Sequence, residues 1–579
     1  MKKIARIAFA VICTIVEVLF IWKTFKIDGN TILYFIVGGM IFYFINEMIK
    51  KSEFRKFMSA VVLATIFSII EVIIKPIDGA CEILVFYPEM ALQFAGYFIG
   101  ILFFIVFIFD LFSNGFNKII CKKRYSAKAR LIENRRFMFF IDLLVIILAW
   151  LPYLLRYFPG LLTADSCTQM SQAIGLTGFS NHHPIFHTLI ITIFVKIGNV
   201  IFNNLNLSVA VYIVAQMIMM ASSFAFVMRY LYKKKVNFIV RLFALAYYMF
   251  YPINALFAIT MWKDVLFAGI LPLFVIYCNE LVCNSDMYVK SIKKNILFVI
   301  IAILTCLLRN NGIYIVLLTC LVLFVILRKY WKRLLIIFSL IFIIYFAIKM
   351  VIFNIFQVKD GSIAEMMSVP LQQIARVEKY HKGELDKETI DEINKFFKVE
   401  NIGNKYNPRL SDPVKAEMNV DYFNSHKKEF ISLWFRLLKQ YFKTYVESFI
   451  LNSYGYYYPE AKHWVANRTM EVNNMGIEQS PIIEGTFVTR IDSLIERREI
   501  PLSSMCFSIG MAVWLVITCC IYKVYDKDRK SIAMYIPIFI LWLTIIASPV
   551  YCEYRYAYPI FTTLPIYLCL NFKSTMEGE

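Results

Sequence analysis

The stretch Pro184–Asn203, PIFHTLIITIFVKIGNVIFN, decides the fold of the chain. It is apolar enough to cross a membrane, and whether it crosses sets the side on which everything after it falls. If it crosses, four basic groups lie outside: Lys233–Lys235, Lys290/Lys293/Lys294, Arg328/Lys329/Lys332/Arg333 and Lys523/Lys527/Arg529/Lys530. If it lies along the membrane or re-enters, all four lie inside, as the cytoplasmic bias of Lys and Arg demands. One non-crossing helix costs far less than four violations of that bias. The stretch therefore reads as a juxtamembrane or re-entrant helix.

The rest of the chain agrees that a membrane is its solvent. Of 579 residues, 59% are hydrophobic and 17% aromatic, and mean hydropathy is +0.63. Long apolar runs between short basic loops make an all-α polytopic membrane protein, with the lipid bilayer as a partner. The formal net charge of +20 lies mostly in those loops, where it sets topology and meets anionic headgroups. It implies no nucleic-acid partner. The 13 cysteines lack metal-ligand spacing. Cys13, Cys306, Cys320 and Cys519-Cys520 fall inside apolar runs and read as small hydrophobes. Met1-Lys2-Lys3, followed by an apolar run without a small-residue cleavage site, reads as a signal anchor.

Upstream, apolar runs near 6–23, 31–48, 57–74 and 91–111 form an N-terminal four-helix membrane unit, 1–113. A basic cytoplasmic linker, 114–136, places the N-terminus inside. The span 137–155 then carries the chain outward, so the outer loop 156–207 holds Asp165, His182, His183 and His187. Downstream, spans near 208–229, 238–255, 265–281, 295–308, 312–327 and 334–355 complete a membrane core, 137–356. Residues 357–503 are too long and too polar for a structureless loop and read as an extracytoplasmic α-rich domain. Within it, Asp386–Phe397 reads as an amphipathic helix and Trp434–Phe449 as a membrane-lying one. C-terminal transmembrane helices in 504–579, near 504–522, 532–549 and 557–571, return the C-terminus to the cytoplasm. The expectation is a multi-pass protein of the cell membrane with about 14 transmembrane helices.

With that parity, charged clusters collect at outward span ends: Asp165; His182, His183 and His187; Trp262-Lys263-Asp264; Arg309-Asn310-Asn311; and Glu553-Tyr554-Arg555-Tyr556. Each taken singly reads as a snorkelling anchor, but charges at membrane depth are costly and pair or serve a function. The chemistry suggested is transfer from an anionic lipid-linked donor. A carboxylate at a span end, Asp165, can act as general base. Lys263, Arg309 and Arg555 can hold a departing phosphate. His182 and His183 would position the donor, and Asp264 and Glu553 join the substrate-binding set. Asp165, His183 and Asp264 are also candidate ligands of a divalent metal ion. Asn181 and Pro184 equally suit a helix start, which would fix the two imidazoles.

An outer-loop Asp soon after a span, then His-Pro and an apolar run, resembles the GT-C superfamily of integral-membrane glycosyltransferases. The residues that carry the likeness are Asp165, His183-Pro184-Ile185, Lys263-Asp264 and Arg555-Tyr556-Ala557-Tyr558-Pro559, across roughly 137–571. The second proline of the family's His-Pro-Pro-Leu-like segment is absent, and Ser166 stands where a second acid is expected. The resemblance implies a GT-C-like fold, a polyprenyl-phosphate sugar donor and a cell-envelope glycan acceptor on the outer face. Met367–Gln373, MSVPLQQ, is similar to bacterial membrane proteins of this type. Tyr454–Pro459, YGYYYP, reads as a sugar-stacking surface or as an interfacial aromatic belt. The reading from another class is a transporter or flippase of a lipid-linked glycan, for which inverted repeats are the mark.

Overall fold

The computed structural model describes residues 2–25, 31–80, 88–114, 135–461, 466–484 and 505–572. Nearly all of the expected basic linker lies outside them. The principal helices are α1 (Lys2–Phe25), α2 (Thr31–Lys51), α3 (Phe54–Ala80), α4 (Glu89–Asn114), α5 (Arg135–Arg156), α6 (Ala164–Ala173), α7 (Ile185–Phe202) and α8 (Leu205–Lys233). They continue as α9 (Phe238–Phe250), α10 (Pro252–Ala258), α11 (Lys263–Cys283), α12 (Ile292–Leu308), α13 (Gly312–Ile326) and α14 (Trp331–Phe356). In the polar region follow α15 (Ser368–His381), α16 (Lys387–Lys395), α17 (Lys427–Gln440) and α18 (Phe442–Ser453). The last are α19 (Ile509–Tyr525), α20 (Ile536–Ala547) and α21 (Tyr554–Asn571).

Among the described residues, nine helices are long and apolar enough to cross a membrane, or ten if the bent pair α9–α10 is one span. Their outward faces are apolar where a soluble protein's would be polar: Phe35, Val62, Phe140 and Ile336 are all exposed. Only lipid solvates such a surface without cost. The protein is an all-α, multi-pass membrane protein.

Helix α11 is the central post, packed against α8, α12 and α21. Close approach there depends on small residues. A Cβ on Gly269 would stand 2.6 Å from Met220 Sδ. The N-terminal four-helix unit docks on the other end of the chain: Phe67 stacks on Trp514 with ring centroids 4.1 Å apart. Ser113 Oγ meets Tyr522 Oη at 3.0 Å.

The expected single span 238–255 is bent by 48° between α9 and α10. Pro252 opens α10 and, lacking an N–H, cannot continue the ladder. The carbonyl so released, Tyr248 O, finds side-chain donors instead: Trp150 Nε1 at 3.1 Å and Asn254 Nδ2 at 3.4 Å. The bend ends the helix early enough for 260–262 to run as extended chain towards the site.

By length and composition α7 qualifies as a span, yet its contacts hold both ends on one side. Before its start, Asn181 N donates to Lys359 O at 2.8 Å, beyond the end of α14. After its end, the side chain of Asn206 brackets Glu478, and Ser480 N donates to Phe158 O at 2.8 Å, beyond the end of α5. Helix α7, about 27 Å long at 1.5 Å per residue, thus starts and finishes at the end of the bundle where α5 finishes. Its outer flank, Ile193, Ile197, Val200 and Ile201, is exposed. At the opposite end of the bundle, Lys233 and Lys234 pair with Glu280 at 3.0 and 2.5 Å, and Lys523 donates to Leu570 O at 2.9 Å.

The polar region builds a second hydrophobic core of its own from Leu371, Ile374, Ile393, Phe396, Leu433, Leu437 and Tyr445 among others. The amphipathic helix expected at Asp386–Phe397 forms as α16, with Asp386 as its N-cap. The expected membrane-lying helix Trp434–Phe449 does not form as one element. It breaks at Tyr441 into α17 and α18, with Leu433, Leu437 and Tyr445 turned into the second core and Phe435 and Phe442 left exposed. Gln372 and Gln373 of the MSVPLQQ segment bind Asn407 O and Tyr445 O, which gives that segment a packing role.

The tyrosine-rich segment is a strut. Tyr454, Tyr456 and Tyr458 are buried, and Tyr551 Oη donates to Tyr454 Oη at 2.9 Å. A Cβ on Gly455 would lie 2.4 Å from Cys552 Cβ. Those rings are unavailable for stacking on a sugar. Cys13, Cys306, Cys320 and Cys519 are buried free thiols, in keeping with their reading as hydrophobes.

Candidate active site

The site begins with a short extended contact between two loops. Leu161 N donates to Ile259 O and Met261 N donates to Leu161 O, each at 2.9 Å. Gly160 makes this approach possible. Its φ is +129°, and a Cβ there would stand 2.5 Å from Ile213 Cγ1 and 3.0 Å from Ile259 O. Side-chain bonds then lock the next residues. Ser166 Oγ donates to Met261 O at 2.6 Å, and Trp262 Nε1 donates to Thr163 Oγ1 at 2.6 Å. Thr163 N donates to Ser166 Oγ at 3.1 Å, as at a capped helix start. Ser166 is therefore a buried fastener in the place of the second acid.

This lock puts the first turn of α6 beside the first turn of α11. Asp165 Oδ2 receives Lys263 Nζ at 2.9 Å and Arg555 Nη1, from the start of α21, at 2.6 Å. Lys263 Nζ also donates to His183 Nδ1 at 3.0 Å, which leaves the proton of a neutral ring on Nε2. Arg555 lies over the rings of Trp262 and Tyr556, 5.5 and 5.0 Å from their centroids. Its Nε stands 3.3 Å from Glu553 Oε1. Arg309, beyond the end of α12, places Nε 3.5 Å from Asp264 Oδ1 and its guanidinium 4.7 Å from the Tyr556 centroid.

Asp165, His183, Lys263, Asp264, Arg309, Glu553 and Arg555 thus meet, although they come from five separate stretches of chain. His182 lies at the rim, exposed, with its ring centroid 4.6 Å from that of His183. His187 does not join them. It is buried between Gln169 and Tyr212, at 3.1 and 2.8 Å, in a polar chain that ends with Gln216 holding three carbonyls of 257–260. Sequence reasoning passed over Thr163, Ser166 and Gln216, whose hydrogen-bonding side chains in an apolar chain were the available signal.

The electrostatics separate the carboxylates. Burial raises the proton affinity of Asp165, but Lys263, Arg555 and His183 more than offset it and hold the group well below the usual carboxylate range. Burial and the adjacent Lys263 push His183 down to about 3, so its ring is neutral at pH 7. Glu553 is pushed the other way, to about 7, first by burial and then by Asp264 and Asp165, with Arg555 opposing. Glu553 Oε1 and both oxygens of Asp264 are buried and accept no hydrogen bond.

Among the described residues, no three His, Cys, Asp or Glu side chains are grouped to hold a metal ion. The candidate ligands Asp165, His183 and Asp264 do not suit one as arranged. Two cations face the Asp165 oxygen, a lysine occupies the His183 lone pair, and Asp264 faces Arg309.

No curated protein and no solved structure matches the chain. Residues 174–578 match the model of a family of unknown function. The matched stretch takes in His183, Lys263, Arg309, Glu553 and Arg555, and begins after Asp165. Since it covers well over half of the chain, the protein belongs to that family of unknown function, DUF6020.

Proposed function

We propose that the protein is a membrane glycosyltransferase of GT-C-like architecture. In this reading it moves a sugar from a polyprenyl-phosphate donor to a cell-envelope glycan on the outer face. The observation that supports this is the convergence of Lys263, Arg555 and Arg309 on one mouth of the bundle, at the end opposite the basic loops. Three cations at that mouth, two of them on a single carboxylate oxygen, make a site that an anionic phosphate can enter by exchanging with Asp165. Aromatic faces under Arg555 and Arg309 hold both guanidinium planes in place. In this reading the whole chain crosses about 14 times, the catalytic module takes in 137–571 beyond the first four spans, α7 lies on the outer side, and both termini are cytoplasmic.

Lys263 and Arg555 grip the donor phosphate and stabilise it as it leaves, with Arg309 adding charge from the flank. His183 keeps Lys263 aimed, and His182 meets the donor at the rim. The test is transfer of labelled sugar from polyprenyl phosphate to envelope glycan in membranes holding the full chain. Arg555→Ala should weaken donor use about 10- to 100-fold, the worth of a charge-assisted hydrogen bond. Arg555→Lys should weaken it less, because lysine keeps the charge but loses the fork. Equal donor use by folded Arg555→Ala removes the phosphate role, and no transfer by wild type with any such donor sinks the reading.

A further inference from the structure

The mouth holds three carboxylates and three cations, and they are not equivalent. Asp165 is held by two cations through one oxygen. Such a carboxylate stays ionised and is a poor acceptor of a proton while its partners remain. Glu553 differs in each respect. Its side chain is only 7% exposed, and its Oε1 accepts no hydrogen bond. Arg555 Nε stands 3.3 Å from that oxygen. Leaving a buried carboxylate oxygen unbonded is costly unless something arrives to use it.

The backbone of Glu553 is fixed from both sides. Its N–H donates to Tyr456 Oη at 3.2 Å, and Tyr456 Oη donates to Val550 O. Its carbonyl accepts from Tyr556 N at 3.2 Å, in the first turn of α21. The tyrosine strut and helix α21 thus hold this side chain beside the cations, as a positioned proton acceptor needs. Arg555 joins the two carboxylates, with Nη1 on Asp165 and Nε towards Glu553. A phosphate that drew Arg555 away would leave Glu553 with less positive charge nearby and a higher affinity for a proton.

We propose that Glu553 accepts the proton of the incoming acceptor hydroxyl, while Asp165 stays ionised and aims Lys263 and Arg555. This rests on the glycosyl-transfer reading of the site. In the step, the acceptor oxygen forms a bond to the anomeric carbon of the sugar. The bond from that carbon to the phosphate oxygen breaks, and its electron pair leaves with the polyprenyl phosphate held by Lys263 and Arg555. The hydroxyl proton passes to the Glu553 carboxylate. The charged groups around Glu553 are Arg555 from α21, Lys263 and Asp264 from α11, and Asp165 from α6.

The experiment uses the full chain in membranes, labelled polyprenyl-phosphate sugar as donor, and transfer rates from pH 5 to 9. A base must be ionised to act, so wild-type transfer should fall about tenfold per pH unit below the acid limit of Glu553, near pH 7. Glu553→Gln should lose about two to four orders of magnitude and the acid limb with it, while donor cross-linking stays within about twofold. Glu553→Asp should recover part of the rate and keep a limb. Asp165→Asn should weaken donor cross-linking yet keep the limb. A wild-type profile flat down to pH 5, or a Glu553→Gln variant that keeps both rate and limb, overturns the assignment and leaves glycosyl transfer standing. A wild type that transfers no sugar from any polyprenyl phosphate overturns both.

Discussion

Gly160 shows how much of the site rests on one residue without a side chain. It stands at φ +129°, where an L side chain is strained, and a methyl group would press on Ile213 and Ile259 O. Gly160→Ala should destabilise the loop contact by about 1–3 kcal/mol. It should also reduce transfer more than it reduces the amount of folded protein, because Leu161 and Met261 register Asp165 against Lys263. Thermal melting in detergent beside the transfer rate checks this; an unchanged rate would mean that the loop contact does not set the site. The charged members of the site were legible in the sequence because an ion beside an apolar run is rare. The fastening roles of Ser166 and Thr163 were not, since a hydroxyl in a loop is ordinary until its partner from 95 or 99 residues away is in view. His187 misled for the opposite reason: it has the composition of a site residue but the surroundings of a core one, bonded on both ring nitrogens.

At the scale of the element, α7 carries the architecture. Its sequence fits a span, and hydropathy alone counts it as one. The charge of loops far downstream argues otherwise, and its two ends are bonded to Lys359, beyond α14, and to Glu478, beyond α18. Single cysteines at His182 and Asn206, before and after α7, should both react with a membrane-impermeant thiol reagent added from outside. Labelling of the two from opposite sides would make α7 a crossing helix and reverse every later loop. The break between α9 and α10, and that at Tyr441, were less legible. Proline marks the first, but its bend is set by side-chain donors to the freed Tyr248 carbonyl. The second lies in a run whose aromatic and basic residues fit a lipid surface as well as the protein core that buries Leu433 and Tyr445.

The whole molecule is polar in the electrical sense, with basic loops at one end and the mixed cluster with the second core at the other. The bias of Lys and Arg towards the cytoplasm then assigns the two sides. Lys234, bound to Glu280 beyond the end of α8, should face the cytoplasm. Glu400, in the domain built on the second core, should face outward. A cysteine at position 400 should be modified from outside intact cells and one at 234 only after the membrane is opened. The Lys234 variant removes one of two lysines on Glu280, so the Lys233 pair at 3.0 Å remains to hold that end. The contrast depends on no enzymatic assay, and so it separates the architecture from the chemistry. The reverse pattern would put the Asp165 cluster in the cytoplasm, out of reach of an envelope glycan, and glycosyl transfer at the outer face would fail with it. The expected pattern leaves Lys263, Arg309 and Arg555 at the outer headgroup level, where the proposed transfer requires a polyprenyl phosphate to meet them.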